Sequence, residues 1–372
     1  MIRHGRDTEI DDYLAGAVID ARLELTSWLG REHLATLTPR AGKITWDGSE
    51  RRGALDVDVI ADGLTLHARH PLANLGQVLE ARWVWPSLGI DVPAGRWLIS
   101  EPGERIPPLW QVSADPEGPA RLARNRWWTP SGKVITGTLV AQLNQMAAEA
   151  RIGWTPYGPL GDIGAPPTDC TTGGSVLESM QKVVDHCDAD LRAARTGSGI
   201  VIARRHVNPD DAPDWTWVDG TGHVTEVAGT RDPQEVPNRV TVWYEEEQTG
   251  ARTARGWSEP LVGGPRRWDG PYGRVPLVVK LDGAASRSAM RDQARRMLRQ
   301  AQEAAATVRV EMRADPRIEP GDTARIRSDR DATDCLARVT SVSLDAATGI
   351  GTVEAAALTG TVAGVPATYI ET

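Results

Sequence analysis

The sequence predicts a mainly β protein made of β-barrel-like domains with a small α+β insertion. Three observations carry that reading. Between residues 21 and 114, short apolar/polar alternations recur, separated by Gly, Pro and Asp, which is the pattern of a small barrel or sandwich. Between 138 and 187 the apolar period becomes helical. In the last third, a strand, an Ala/Arg-rich helix and a second alternating run follow one another.

Residues 1–20 are polar and without a strong period, so an N-terminal arm is expected there. A first β-barrel-like domain is expected over 21–130. Ala21–Trp28 alternates, Gly42–Gly48 reads as a short strand ended by an Asp-Gly turn, and Ala54–Ile60 alternates again. Further strands are expected at 76–85, 95–100 and 110–114. A small α+β domain is expected over 131–205. Leu139, Leu143, Met146, Ala147 and Ala150 share one face of a helix over 138–152, with Gly153 as its stop. Ser175 and Glu178 form a capping box ahead of Val176, Leu177, Met180, Val183, Val184 and Cys187, and so start a second helix. Leu191–Ala203 reads as a hairpin turning at Gly197-Ser198-Gly199.

A second β domain is expected over 206–372. Val236–Tyr244 is a strand entered through Pro237, whose missing N–H suits a strand's beginning. Gly and Pro cluster from Gly250 to Pro276, which predicts a long irregular excursion around Trp257 and Trp268. A helix over 284–307 has Met290, Ala294, Met297, Leu298, Ala301 and Ala305 at helical spacing, with Arg291, Arg295, Arg299 and Gln302 on the polar face. The run 308–327 alternates around Glu319-Pro320-Gly321-Asp322 and reads as a β-hairpin.

Composition sets limits on function. The 372 residues are 40% hydrophobic and 25% charged, enough for a sizeable core. A formal charge of −8 and a pI near 5.5 argue against nucleic-acid binding, which draws on clustered Lys and Arg. No apolar run approaches the roughly 20 residues that span a bilayer, and the N-terminus lacks a signal-peptide pattern, so membrane insertion is not expected and assembly in the cytoplasm is. Cys170, Cys187 and Cys335 are odd in number and lack a C-x-x-C spacing; they read as small buried hydrophobes.

Chemistry-bearing constellations fall short of a site. His67 and His70 sit three apart in a β context and point to opposite faces. Asp210, Asp211 and Asp214 lack the fixed ligand positions and closing Glu of a calcium loop and read as a solvated turn. His186 and Cys187 project about 100° apart on a helix, and Thr171–Ser175 lacks the Lys-Ser/Thr pair of a phosphate loop; its glycines serve the cap. No catalytic residue, metal ligand or cofactor is therefore assigned. Aromatic usage is more telling, with 14 Trp against five Tyr and no Phe. Trp46, Trp83, Trp97 and Trp243 lie in strand-like segments, where Trp can stand in for Phe in a core. Trp127, Trp128, Trp215, Trp217, Trp257 and Trp268 lie in loop-like or edge-like contexts and are candidate interface anchors.

In this order, the Val236-Pro-Asn-Arg-Val-Thr-Val242 strand, the Ala/Arg helix and Ile318-Glu-Pro-Gly-Asp-Thr-Ala-Arg-Ile-Arg327 resemble the C-terminal half of phage tail hub proteins. Ile90–Ser100 resembles the strand entry of the first hub domain. The resemblance covers most of the chain and is specific in the C-terminal third. It implies domains of the phage tail hub type and a structural, non-enzymatic role as a homotrimeric ring at a tail tip. The implied partners are distal tail protein, tape measure protein and tail fibre or other tail-tip proteins, with DNA passing through unbound and the protein residing in the virion tail. Some members of that family carry an appended peptidoglycan hydrolase or a long C-terminal extension, and the departure of this sequence from those longer relatives implies that cell-wall cleavage or host binding is expected of separate polypeptides. The tryptophans leave open a receptor protein binding host carbohydrate, and the Asp210 region a hydrolase.

Overall fold

The computed structural model describes residues 10–11, 14, 16, 21–47, 53–60, 69–101, 104–106, 109–125, 134–157, 169–171, 174–187, 189–195, 199–204, 211–231, 236–248, 251–263, 266–281, 287–303 and 305–367. Eight strands come first: β1 (Arg22–Leu29), β2 (Glu32–Leu37), β3 (Pro39–Asp47), β4 (Gly53–Ile60), β5 (Gln77–Trp85), β6 (Ile90–Ile99), β7 (Glu104–Ile106) and β8 (Leu109–Pro116). A mixed stretch follows: α1 (Glu117–Arg124), β9 (Val134–Thr136), α2 (Leu139–Ala150), β10 (Trp154–Tyr157), β11 (Asp169–Thr171), α3 (Val176–His186), β12 (Ala189–Ala193) and β13 (Ile200–Arg204). The chain continues through β14 (Trp215–Val218), β15 (Val224–Arg231), β16 (Arg239–Gln248), β17 (Ala251–Pro260), β18 (Pro276–Lys280) and α4 (Arg287–Glu303). It ends with β19 (Ala306–Arg313), β20 (Thr323–Ser328), β21 (Thr333–Asp345), β22 (Ile350–Val362) and β23 (Val365–Pro366).

The first and last groups of strands share a single 15-stranded sheet in the order β15-β19-β22-β21-β3-β4-β8-β6-β5-β1-β2, with β20, β14, β23 and β7 branching from it. The two β regions meet where β21 pairs antiparallel with β3, from Ser341 opposite Asp47 to Asp345 opposite Lys43. This order is open, and among the described residues the strands do not close into a barrel. Alternation gives the sheet its buried face: Leu23 and Leu25 on β1, Ile44 and Trp46 on β3, Leu55, Val57 and Val59 on β4, Val308, Val310 and Met312 on β19. These side chains form one core across both regions.

Tryptophan fills that core. Trp83 and Trp85 are fully buried, Trp97 and Trp110 nearly so, and the rings of Trp46 and Trp97 lie 5.9 Å apart. The Trp97 indole N–H donates to the Ala94 carbonyl (3.1 Å), which satisfies its polar end. A chain without Phe thus uses Trp as its large core aromatic, while Trp243 is only half-buried. The N-terminal stretch read as an arm has its described residues Ile10 and Leu14 fully buried in this same core.

The α+β unit has its own core of Leu122 from α1, Leu143 and Met146 from α2, Val176, Met180, Val183 and Val184 from α3, and Leu191, Ile200 and Ile202 from β12 and β13. Its caps follow the residues. Thr138 Oγ1 accepts from the Ala141 N–H (3.3 Å), and the Ser175/Glu178 box is complete, with bonds of 3.2 Å in each direction. The stop of α2 is Arg151 in the left-handed region (φ 54°) and not Gly153. β12 and β13 pair as the predicted hairpin.

A third unit consists of β17-β16-β18 covered by α4. Val240, Val242 and Tyr244 of β16 pack against Met290, Ala294 and Leu298 of the helix. Two readings of this region need correction. The Gly250–Pro276 excursion is a strand for its first half, β17 pairing with β16 from Ala251 to Pro260. Gln302 is buried on the inner side of α4, where its Nε2 donates to the Pro237 carbonyl (2.8 Å). The described helix runs from Arg287 to Glu303; residues 284–286 of the expected helix lie outside the described residues, and at the other end Ala306 and Thr307 already belong to β19.

The 308–327 run is not a hairpin either. β19 pairs with β15 and β22, while β20 pairs with β21 and β14. The connection between them, 314–322, is too long for a tight turn and its residues Ala314–Ile318 are all buried. Arg317 Nε and Nη2 grip the Asp315 carboxylate at 2.9 and 2.7 Å, and Nη2 also donates to Asp11 (2.6 Å). This paired, buried crossover carries the chain from one part of the sheet to another.

Candidate functional site

The geometry of the molecule concentrates on the crossover 314–322, where the α+β unit meets the large sheet. Arg195, two residues past the end of β12, is 6% exposed. Its guanidinium stacks over Trp46 of β3 at 4.0 Å, donates to the carbonyls of Pro316 and Ile318, and lies 3.7 Å from Glu319. Burial lowers its pKa from the ordinary arginine value, while Glu319, Asp322 and Asp315 favour its charge. Arg192 donates to the Pro320 carbonyl, and Arg338 of β21 reaches Asp190 at 3.2 Å. Nearby, Gly118 and Gly199 let two backbones touch: a Cβ on Gly118 would lie 2.3 Å from the Gly199 carbonyl oxygen. The α+β unit is therefore bolted to the large sheet through backbone carbonyls and a cation–π contact.

The Glu319-Pro320-Gly321-Asp322 turn is built as its residues require. Gly321 takes φ +92°, and the Asp322 N–H donates to the Glu319 carbonyl (3.1 Å). The buried Asp322 carboxylate accepts from the Glu319 N–H (3.0 Å) and from the indole N–H of Trp215 (2.9 Å). Burial raises its pKa above the usual carboxylate range. Arg317 also titrates abnormally: burial works against its charge, but the bond to Asp315 and that carboxylate's charge outweigh this and raise its pKa.

The candidate interface tryptophans fall into different environments. Trp215 is half-buried, engaged with Asp322 and stacked on Trp217 with centroids 6.4 Å apart. Trp217 is 1% exposed and belongs to the large core, so it presents no surface to a partner; β14 pairs with β20 and turns that side inward. Trp257 is half-buried under α4, its N–H donating to Glu259 (2.7 Å) and Arg287 lying over its ring at 4.9 Å. Trp268 is half-buried between Arg239 and Arg274, at 4.4 and 5.5 Å from its ring. Trp127 and Trp128 lie outside the described residues.

No family model matches the chain, and no curated protein does. Solved structures do. The 43 kDa tail protein of prophage MuSo2 from Shewanella oneidensis is similar over 90% of this chain and 98% of its own, with a TM-score of 0.64 at 12% identity. A tail protein from Neisseria meningitidis MC58 gives 0.63 at 12% identity, over 90% of this chain and 96% of its own. This chain has the fold of phage tail proteins. A type VI secretion component of E. coli, described as structurally similar to the T4 tail proteins gp27 and gp5, matches at 0.50 and 8% identity, over 91% of this chain and 75% of its own.

Within this fold, the described chemistry-bearing side chains are tied into packing and hydrogen bonds. Asp211 and Asp214 are exposed, as a solvated turn requires, and Asp214 also bridges to β20: its carboxylate accepts from the Thr323 N–H (2.9 Å) and hydroxyl (3.0 Å). His70 is buried, its Nδ1 accepting from the Leu72 N–H (3.0 Å) beside Trp110; His67 and Asp210 lie outside the described residues. Burial pushes the thiols of Cys187 and Cys335 up to about 11 and about 12, so neither is a thiolate near neutral pH. It also lowers the pKa of His186, with Arg296 adding to the shift. Among the described residues, no group of three His, Cys, Asp or Glu is placed to hold a metal. No helix among them is long and apolar enough to cross a membrane.

Asn238 escaped sequence reasoning. It is fully buried and pins the 261–275 loop to the sheet: its Nδ2 donates to the carbonyls of Arg266 (3.1 Å) and Gly273 (2.7 Å), and its Oδ1 accepts from the Val275 N–H (2.9 Å). Only its position beside Pro237, at the mouth of a strand, hinted at this.

Proposed function

We propose that this protein is a structural hub at the tip of a phage tail or phage-like injection particle. In this reading it forms a homotrimeric ring that closes the tail tube, contacts distal tail, tape measure and fibre proteins, and lets DNA pass unbound. The observation that carries the proposal is the whole-chain likeness to tail proteins: 90% of this chain superposes on nearly all of the MuSo2 tail protein, so the entire architecture is shared and not one portable domain. Its buried polar groups support the reading, because Arg195, Arg317, Asp315 and Asp322 are consumed in joining units rather than aimed into a cleft. The hub reading is favoured over a carbohydrate receptor at Trp215, Trp257 and Trp268, which are engaged within the chain by Asp322, Glu259 and arginines. Electron microscopy of the intact particle tests the proposal. Three copies at the tube's distal end support it, whereas one or six copies, or a location on the fibres, would refute it.

A further inference from the structure

The hairpin β16–β17 outgrows its sheet. β18 accompanies β16 only from Arg239 to Trp243, whereas β17 follows it to Gln248. The pairs Tyr244↔Arg255, Glu245↔Ala254, Glu246↔Thr253, Glu247↔Arg252 and Gln248↔Ala251 therefore form a two-stranded ribbon without a third strand among the described residues. At about 3.4 Å per residue, these five steps extend about 17 Å. Tyr244 is the last β16 residue in the cluster beneath α4, so helix packing anchors the ribbon at its base. Two strands alone are marginal in water, and each outer edge offers a row of backbone donors and acceptors to another strand.

Charge decides which strand fits. The extended part of β16 carries Glu245, Glu246 and Glu247 in a row, while β17 over 251–255 carries Arg252 and Arg255 and no acid. Two β16 edges side by side would oppose like charges, and so would two β17 edges. The β16 edge of one copy beside the β17 edge of another places acidic against basic. That contact joins two different surfaces, the heterologous type that repeats around a closed ring.

We propose that the ribbons of neighbouring copies pair edge to edge, residues 244–248 of one copy with 251–255 of the next, as a subunit contact of the assembled ring. The inference deepens the hub reading and rests on it for the ring. The test is sedimentation of the purified full chain over a wide concentration range at low and high salt, with E246K/E247K, R252E/R255E and the fully reversed combination. The Glu245–Lys280 ion pair (2.9 Å) at the ribbon's base is left intact. The wild type should self-associate more weakly as salt rises. Either reversal alone should weaken association about tenfold or more. The combined reversal should recover it, and an equal mixture of the two single reversals should recover it only in part, because a ring of three cannot alternate them and keeps one like-charge contact; either recovery also shows that the variants fold. A wild type that stays monomeric throughout, or association indifferent to the reversals, would overturn the pairing. A copy number other than three in the particle would instead sink the hub reading, and three copies with separated ribbons would sink only the pairing.

Discussion

The large sheet and the small β16–β18 unit solve the same problem differently. In the large sheet, strands that alternate are buried by their own chain: Trp83, Trp85 and Trp97 fill the interior, and a strand from residue 45's neighbourhood pairs with one 298 residues away. The small unit rests on one helix, a core of seven buried hydrophobics and one buried asparagine, and leaves Val278 61% and Val262 78% exposed. The contrast teaches that one region has a large core filled within the chain, while the other rests on a small core and extends a two-stranded ribbon beyond it. Regions of few buried contacts open first, and in an assembling protein those are the surfaces a neighbour can complete.

That contrast can be broken by substitution, and the largest effect belongs to the large sheet. Trp97→Ala removes a buried ring packed on Trp46 and should cost about 3–5 kcal/mol. Urea denaturation should show it lowering the main transition, with β19–β22 destabilised together with β1–β8 because they share one core. Leu298→Asp places a charge among Val240, Val242 and Met290 and should cost about 2–4 kcal/mol. Hydrogen exchange should then rise over 236–303 and stay unchanged in the large sheet. Faster exchange everywhere would mean that the two regions fold as one.

Smaller substitutions sharpen the comparison. Asn238→Ala strips three backbone groups of their side-chain partner and should cost about 1–3 kcal/mol. Limited proteolysis should begin cutting within 261–275. Ser175→Ala breaks the capping box of α3 at about 1 kcal/mol. Lying in the α+β unit, it should leave exchange in both other regions unchanged, which makes it the control for the larger variants.

How much of this was legible follows from range. The strands β1, β3 to β6 and β8, the helices α2 and α3 of the α+β unit and the Ser175/Glu178 box have signatures within a few residues, and the structure reproduces them. The pairing of β3 with β21 has none, because alternation declares that a strand has a buried face and is silent about its partner. The run 308–327 alternates like a hairpin, yet the Asp315–Arg317 pair fills its middle and sends the two strands to different neighbours. Gln302 looks polar and outward by period, but the Pro237 carbonyl satisfies it inside. Trp217 looked like a loop anchor because Pro213 precedes it, and β14's parallel pairing with β20 buries it. Composition was the better guide there, since a chain with 14 Trp and no Phe must spend tryptophan on its core.

The central claim is that the core strands of the large sheet are held within one chain while the β16–β17 ribbon is completed by a neighbouring copy. Amide hydrogen exchange on the free protein and on assembled tails tests it most directly. The account predicts slow exchange across β3, β21 and β22 in both states, and exchange over 244–255 that is fast in the free protein and strongly slowed on assembly. Equal exchange over 244–255 in the two states would contradict it.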